Sequence, residues 1–563
     1  MKINEVRRDK TTGMAMVGRA LVRRRRKPTS LLMVLCVLIS FQLSAQTNND
    51  KNISNSPFFD AEPSLAINPT NPDNIVAAWM SVFGLRIGIK TRHSTDGGAT
   101  WGTIQQIPHQ FPSYQSADPS LVFSRAGAAY LCYIDYKNNS LDSGGVFICK
   151  STNGGASWNM RILVRDVRET SDLALDRPWI AADKSGGARD GHLYVTSKPA
   201  PWSTPPYHLH LKRSTDGGTT WSTDILVDDA SFPVVQQSMG VVGVGPTGRL
   251  HIVFVSPQGI VGRLACASSP DGGATFQKSV IHNSFGSPDT NYQNGYTLAV
   301  NPLIDGNLVV ASIDNRNGDP DVLLSYSTNA GANWTLPRRV NDDAIGNGVG
   351  QDMVWADFSP NGTLGIAWRD RRLNGPTATV PFDVFTTIST DGGATTRPNR
   401  KISSAISTFS SLTRGNDFLG VALDNQNIHV AWGDYRNNNW EIYYNKEAFT
   451  TFTGVEEFGG VPTEFRLEQN YPNPFNPTTE IRFQIAEVRG QKSEVRGQKS
   501  AVSHVTLKVY DVLGKQISML VNEKLAAGNY SVNFDGNNLA SGVYYYTLTA
   551  DGFVQTKAMV LMK

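Results

Sequence analysis

Aspartate and a basic residue stand two positions apart at four places in the chain: Asp135/Lys137, Asp314/Arg316, Asp370/Arg372 and Asp434/Arg436. Arg369 and Arg371 crowd the third of these. Glu62, Asp118, Asp176-Arg177, Gln237, Asn294, Asp352 and Asp417 recur at comparable intervals. An arginine fork donates two parallel hydrogen bonds to a carboxylate, and carboxylates accept from hydroxyls, so this set suits a hydroxyl-rich or acidic ligand. The spacing also has a second reading. A pair repeated at one register braces neighbouring units more readily than it does chemistry, because in a reactive site each residue has one job. Arg369 and Arg371 depart from the register and are the better ligand candidates among the arginines.

Other chemistries are poorly supplied. The run Asp314-Asn-Arg-Asn-Gly-Asp319-Pro-Asp321 is oxygen-rich. Calcium takes about six to eight oxygen ligands, but the run lacks EF-hand spacing, and an Asp/Asn turn accounts for it better. No Cys/His spacing suggests zinc or another metal, and no motif calls for an organic cofactor. Lys and Arg total 52 against 49 Asp and Glu, a net charge of +3, and five of the basic residues lie in the segment 23–27. Nothing in this balance points to nucleic acid.

The elements that must position these residues are announced by a repeated phrase. Ser94-Thr-Asp96-Gly-Gly-Ala-Thr-Trp101 returns around Asn153, Asp216, Asp271, Asn329 and Asp391, at intervals of 55 to 63 residues. Self-similarity at such a period marks a repeat architecture. Asp or Asn accepts from nearby backbone N–H groups and closes a turn, and glycine supplies the positive φ that the turn needs. The phrase is therefore a hairpin device with a structural role. In each repeat it should follow three strands, and its aromatic residue should open a fourth.

A second pattern can be counted separately. Apolar second strands occur at 75–79, 129–133, 192–196, 250–255, 308–312, 364–368 and 428–432. These make seven units against six copies of the phrase. A segment near Ile53 could supply the outer strand that the last unit lacks, leaving no free ring edge. An all-β propeller is expected, with seven blades favoured over six. The loops leading into first strands and those joining second to third strands would share the channel mouth, where the charged residues above should gather.

The phrase resembles the Asp-box, or BNR, repeat of the sialidase superfamily, Ser-x-Asp-x-Gly-x-Thr-Trp. That resemblance implies a sialidase-like propeller with the boxes on the blade periphery, away from any active site. Exo-sialidases of that family use three arginines on the substrate carboxylate, a Tyr nucleophile paired with Glu, and an Asp acid/base. Here the family's Arg-Ile-Pro phrase is replaced by Arg86-Ile87-Gly88, close to the first box, and no Tyr, Glu or acid Asp can be carried over. The fold likeness therefore does not bring the activity with it. The leading expectation is an exported propeller that binds glycan or another surface polymer without sialidase catalysis. A secreted sialidase-like glycoside hydrolase and a surface protein-interaction scaffold are the alternatives.

The two ends of the chain carry addresses. Residues 23–27 are basic, 31–43 are largely apolar, and Ser44-Ala45-Gln46 follows, which reads as a signal peptide over 1–45. No apolar run after it is long enough to cross a membrane as a helix. Cys132, Cys149 and Cys266 remain after cleavage, an odd number, with the first two on neighbouring strands and read as packed thiols. The propeller should occupy 46–446 and a linker 447–464. Residues 465–563 contain Asn470-Tyr-Pro-Asn-Pro-Phe-Asn-Pro and alternating strands. This stretch resembles the type A C-terminal sorting domain of type IX secretion cargo, which implies a small Ig-like β-sandwich and the secretion machinery as a partner. It also implies release into the medium or attachment at the outer cell surface. Within it, Glu487-Val-Arg-Gly-Gln-Lys-Ser493 is repeated as 494–500 and reads as a charged loop.

Overall fold

The computed structural model describes residues 49–563 apart from 85, 138–142, 160, 201–202, 237, 259–260, 286–294, 375–380, 409–417, 453–455, 458–464, 487–501, 527 and 538. The signal segment, most of the linker, the duplicated heptapeptide, Gln237, Asn294 and Asp417 thus lie outside the described residues. The expectation of an all-β chain holds. Among the described residues nine four-stranded antiparallel sheets are formed, seven of them between residues 51 and 448 and two between 456 and 561.

Each of the first seven sheets is a meander. Its first strand is innermost: Phe59–Asn68, Tyr114–Phe123, Asp176–Ala182, Val241–Val244, Tyr296–Val300, Gln351–Phe358 and Gly420–Leu423. These strands touch in sequence order, and the first also touches the last, so the sheets close into a propeller ring. Alternation of side chains along a strand gives each sheet two faces. Here both faces are apolar, and a separate core fills every junction between neighbouring sheets. The junction of the last sheet with the first packs Ile53, Ala431, Ile442 and Tyr444 against Leu65, Ile75 and Trp79.

The last sheet takes its outer strand from the other end of the chain. Lys51–Asn52 pairs with Tyr443 and Tyr444, and Ile53 N–H donates to the Ile442 carbonyl at 2.8 Å. Arg92 of the first sheet holds the Ile53 carbonyl at 2.8 Å.

The repeated phrase forms one turn six times. The leading serine Oγ donates to the Asp or Asn Oδ1 at 2.8–2.9 Å and accepts from the second glycine N–H at 2.7–3.0 Å. Hydrogen bonds from the closing threonine, led by its hydroxyl, hold Asp96, Asp216 and Asp271 at about 2. The outer strand begins directly after the aromatic residue in the fourth sheet, where Gln277–Phe285 follows Phe276, but not in the first. In the first sheet that strand is Gln105–Gln106, and Trp101 instead lies edge-on to Tyr444 at 5.1 Å. Trp158 likewise donates to Thr91 Oγ1 of the preceding sheet at 2.9 Å. The phrase is thus a staple between sheets as well as a turn.

The C-terminal pair of sheets encloses a core of its own, including Phe475, Phe483, Leu507, Tyr546 and Met559. Among the described residues no helix is long and apolar enough to cross a membrane. Cys132 and Cys149 are free thiols and are not directly opposed, since Cys132 faces Ile148 and Leu131 faces Cys149.

Because Ile53 is fully buried where the ring closes, Ile53→Ala should cost about 2–5 kcal/mol of unfolding free energy in urea denaturation. An exposed substitution such as Lys51→Ala should change it by less than about 0.5 kcal/mol.

Candidate functional site

Antiparallel register brings the start of each first strand beside the end of the second. Asp176 faces Lys198, Gln351 faces Asp370, and Tyr114 faces Lys137. These ends therefore share one face of the ring. The sequence reading put the charged residues on loops there, but most of them are in strands. Asp135, Asp314, Asp370 and Asp434 lie in second strands, and Asp176, Arg177 and Asp352 lie in first strands.

Four first strands are bulged at this end. The bulged residue has positive φ each time: Glu62 at 55°, Asp118 at 56°, Arg177 at 46° and Met353 at 52°. Three of them precede proline, which itself confines the backbone before it. Such conformations cost about 1–3 kcal/mol each and persist only where the surroundings fix them. Ser64 Oγ accepts from Leu121 N–H at 3.1 Å, and Ser120 Oγ accepts from Ile180 N–H at 3.2 Å. These bonds run from one first strand to the next and hold the bulges in step.

The bulges gather a buried charged group. Asp118 and Asp176 share a hydrogen bond, and Arg177 N–H donates to Asp118 Oδ2 at 3.1 Å. Lys198 Nζ donates to Asp176. Burial, followed by the neighbouring Asp176 carboxylate, pushes Asp118 up to about 7. Burial acts the same way on Asp176, but Lys198 and Arg177 outweigh it and hold that carboxyl low. One carboxylic acid thus keeps its proton near neutrality beside one that does not, an environment-driven split of the kind that assigns acid and base roles. Tyr136 is pushed up to about 12 by burial and by Asp118, Asp176 and Glu62. The Arg177 guanidinium covers the Phe418 ring at 4.6 Å, and Phe418 packs on Trp179 at 5.3 Å. Trp179 in turn lies 4.9 Å from Trp355. These rings narrow the channel behind the charges.

A second group sits on the sixth sheet. Asp352 accepts from Arg369 at 2.6 Å through both oxygens and from Arg371 at 2.8 Å. Burial opposes ionisation, yet the two arginines hold Asp352 well below the carboxylate range. Both guanidinium groups are buried, and Arg369 Nη1 and Arg371 Nε have no hydrogen-bond partner.

The recurring pairs mostly close on themselves. Arg316, Arg372 and Arg436 bind Asp314, Asp370 and Asp434 at 2.8, 2.8 and 2.6 Å. Trp368 and Trp432 donate to the same Asp370 and Asp434 carboxylates at 2.8 Å. Arg372 also lies over Phe385, and Arg436 lies over Tyr443 and reaches Asp50. Asp135 instead meets His109 at 3.0 Å. In the oxygen-rich run, Asp321 is held by Arg339 and Asn341, and Asp319 by Gly348 N–H. No cluster of three metal-ligating side chains occurs among the described residues.

Sequence reasoning missed Lys198, Tyr136, Trp179, Trp355 and Phe418. A usable signal existed in Glu62-Pro63-Ser64, Asp118-Pro119-Ser120 and Arg177-Pro178-Trp179, one phrase recurring at one register.

Residues 469–562 match the secretion system C-terminal sorting domain family. That match marks the chain for type IX export, to the cell surface or into the medium. No curated protein matches the chain. Among solved structures, a protein of unknown function from Dyadobacter fermentans aligns at 16% identity and TM-score 0.39, over 57% of this chain and 95% of its own. An α-L-arabinanase from Penicillium chrysogenum, complexed with arabinobiose, aligns at 14% and 0.40, over 71% and 96%. The NanB sialidase from Streptococcus pneumoniae aligns at 13% and 0.36, over 72% and 69%. Likenesses this distant say nothing of chemistry.

The raised Asp118 makes stability depend on pH. Between its ordinary value of 3.8 and about 7 the folded chain holds a proton that the unfolded chain has released. Its contribution is therefore complete below 3.8 and is lost as pH rises through about 7. Asp118→Asn should remove this dependence. The difference in melting temperature between variant and wild type should move in the variant's favour from about pH 5 to about pH 8.

Proposed function

We propose that the exported propeller binds a neutral, hydroxyl-rich carbohydrate polymer at the face where its first strands begin, without sialidase chemistry. The observation that carries this reading is how fully the charges there are committed to one another. Asp352 occupies the Arg369 and Arg371 forks, Lys198 pairs with Asp176, and the Arg177 guanidinium, stacked on Phe418, sets its charge beside Asp118 and Asp176. A sugar carboxylate would have to displace a buried internal one, and breaking a buried pair is strongly destabilising. A hydroxyl needs no such exchange, because it can accept from a guanidinium N–H and donate to a carboxylate together. Arg369 Nη1 and Arg371 Nε are unpaired but enclosed, so the partly exposed Asp352 that they hold is the group a sugar hydroxyl would meet. Asp176, Arg177, Asp352, Arg369 and Arg371 are the residues assigned to contact, and Asp417, outside the described residues, belongs to the same set by sequence register alone.

Two features support binding over turnover. Tyr136 has its phenol pushed up to about 12, opposite to the activation that a nucleophile needs. Glycosidase carboxyl pairs stand about 5–5.5 Å apart for retention or about 6.5–9.5 Å for inversion, whereas Asp118 and Asp176 hydrogen-bond directly. A hydrolase remains the second reading because the split between those two carboxyls is itself an acid/base arrangement.

Affinity electrophoresis of the full exported chain in gels containing neutral and acidic polysaccharides tests both. Retardation is expected in a neutral polysaccharide gel, with no new reducing ends and no sialic acid released from a fluorogenic sialoside. Arg371→Lys, which keeps the charge but loses the planar fork, should weaken retardation by about ten-fold in ligand concentration. Release of reducing ends would establish the hydrolase instead, and mobility unchanged in every gel would favour the scaffold.

A further inference from the structure

Behind the aromatic cluster the channel runs on to the opposite face of the ring, where the first strands end. There it widens into a cavity of about 500 Å³. That is within the range of about 300–1,000 Å³ usual for small-molecule sites. Its wall is mixed, with apolar Leu65, Leu121, Ile180, Val242, Leu298 and Leu423 contributed by six different sheets and charged groups between them. Lys184, just beyond the end of the third sheet's first strand, lines the same space. Its side chain is exposed to the solvent of the channel, and the protein surrounding it lowers its ammonium from the ordinary value.

The other charges that line the cavity are spoken for. Arg125 pairs with Asp190 at 3.3 Å, and Asp424 pairs with His429 at 2.9 Å. Asp357 accepts from the Phe358 N–H at 2.8 Å, and burial pushes its carboxyl up to about 6. Asp357 is the opposite charge that acts on Lys184, yet the two form no salt bridge. Among the described residues the Lys184 ammonium makes no hydrogen bond. A solvated ammonium without a close partner is available to an anion brought in by a ligand, through a charge-assisted hydrogen bond.

We propose that this cavity binds an amphiphilic monocarboxylate, its hydrocarbon chain against the apolar strand ends and its carboxylate on Lys184. A single negative charge matches a single ammonium, whereas a doubly charged head would place its second charge near Asp357. The site lies at the far end of the channel from the carbohydrate face and does not depend on that reading.

Calorimetric titration of the full exported chain with sodium decanoate, decanol and decylammonium, each below its micelle concentration, tests the assignment. Decanoate should bind with one site and about ten-fold more tightly than decanol, and decylammonium more weakly than either. Lys184→Met should raise the decanoate dissociation constant by about ten-fold and leave decanol binding unchanged, which also reports that the cavity is intact. Lys184→Arg should retain the preference for the anion, which separates a charge effect from a folding defect. Val300→Phe, which fills the cavity, should weaken decanoate and decanol together. No binding of decanoate to the wild type, equal affinities for decanoate and decanol, or an unchanged decanoate affinity in Lys184→Met would each overturn the proposal.

Discussion

The structure depends on closure of the ring. Each sheet exposes two apolar faces, and only a neighbour on either side covers both. A row of sheets with free ends would leave apolar surface and unpaired strand edges in water. The closing sheet is assembled from both ends of the propeller. Asp50, just before its outer strand, receives the Ser404 N–H, the Arg436 guanidinium and the Asn445 amide. The recurring Asp-x-Arg pairs serve this economy. They neutralise each other on strands whose side chains are otherwise apolar, and their guanidinium faces lie on Phe385 and Tyr443. An arginine can do both because its planar group is weakly hydrated.

Closure also explains how a repeated unit yields an unsymmetrical face. The bulge at the start of a first strand turns one residue out of the alternation, so the residue there can differ in kind from sheet to sheet, even where, as with Met353, it still packs in a junction core. The four bulged positions hold Glu62, Asp118, Arg177 and Met353, two acids, a base and an apolar group. Beside them the position after proline is serine twice, and those serines tie strand to strand. At the corresponding register stand Trp179 and Trp355, which pack together instead. The same backbone device thus supplies charge on one side of the ring and an aromatic constriction within it.

Much of this was legible in the chain and some was not. The repeated phrase announced its turn because Asp and two glycines at fixed offsets leave few other conformations. Its tryptophan misled, because an aromatic after a turn reads as strand when it is in fact spent on the neighbouring sheet. The doubt over Asp-x-Arg, ligand or brace, could be posed from register alone but not decided. The distinction lies in whether Asp314, Asp370 and Asp434 are themselves satisfied, and each is. Arg369 and Arg371 were noticed as irregular, but their shared partner, Asp352, lies 17 and 19 positions away on a strand that sequence alone does not bring beside them. Lys184 gave no signal at all, because an isolated lysine after a strand is ordinary until the cavity around it is seen.

Export sets a final constraint, which the thiols meet. An exported chain meets oxidising surroundings, where reactive cysteines pair or are oxidised. Here Cys132, Cys149 and Cys266 are all buried. Burial pushes Cys149 up to about 11 and Cys266 up to about 12. The thiolate is the reactive form, so these residues behave as small apolar side chains. Cys149 packs against the first sheet and Cys266 toward the fifth, where a disulfide would serve no purpose that the sheet junctions do not already serve. The ring draws its stability from the apolar junctions between its sheets. It can therefore keep strained, charged residues at one end of its channel and an ammonium without a close counter-ion at the other, because the energy that holds them in place is supplied between the sheets.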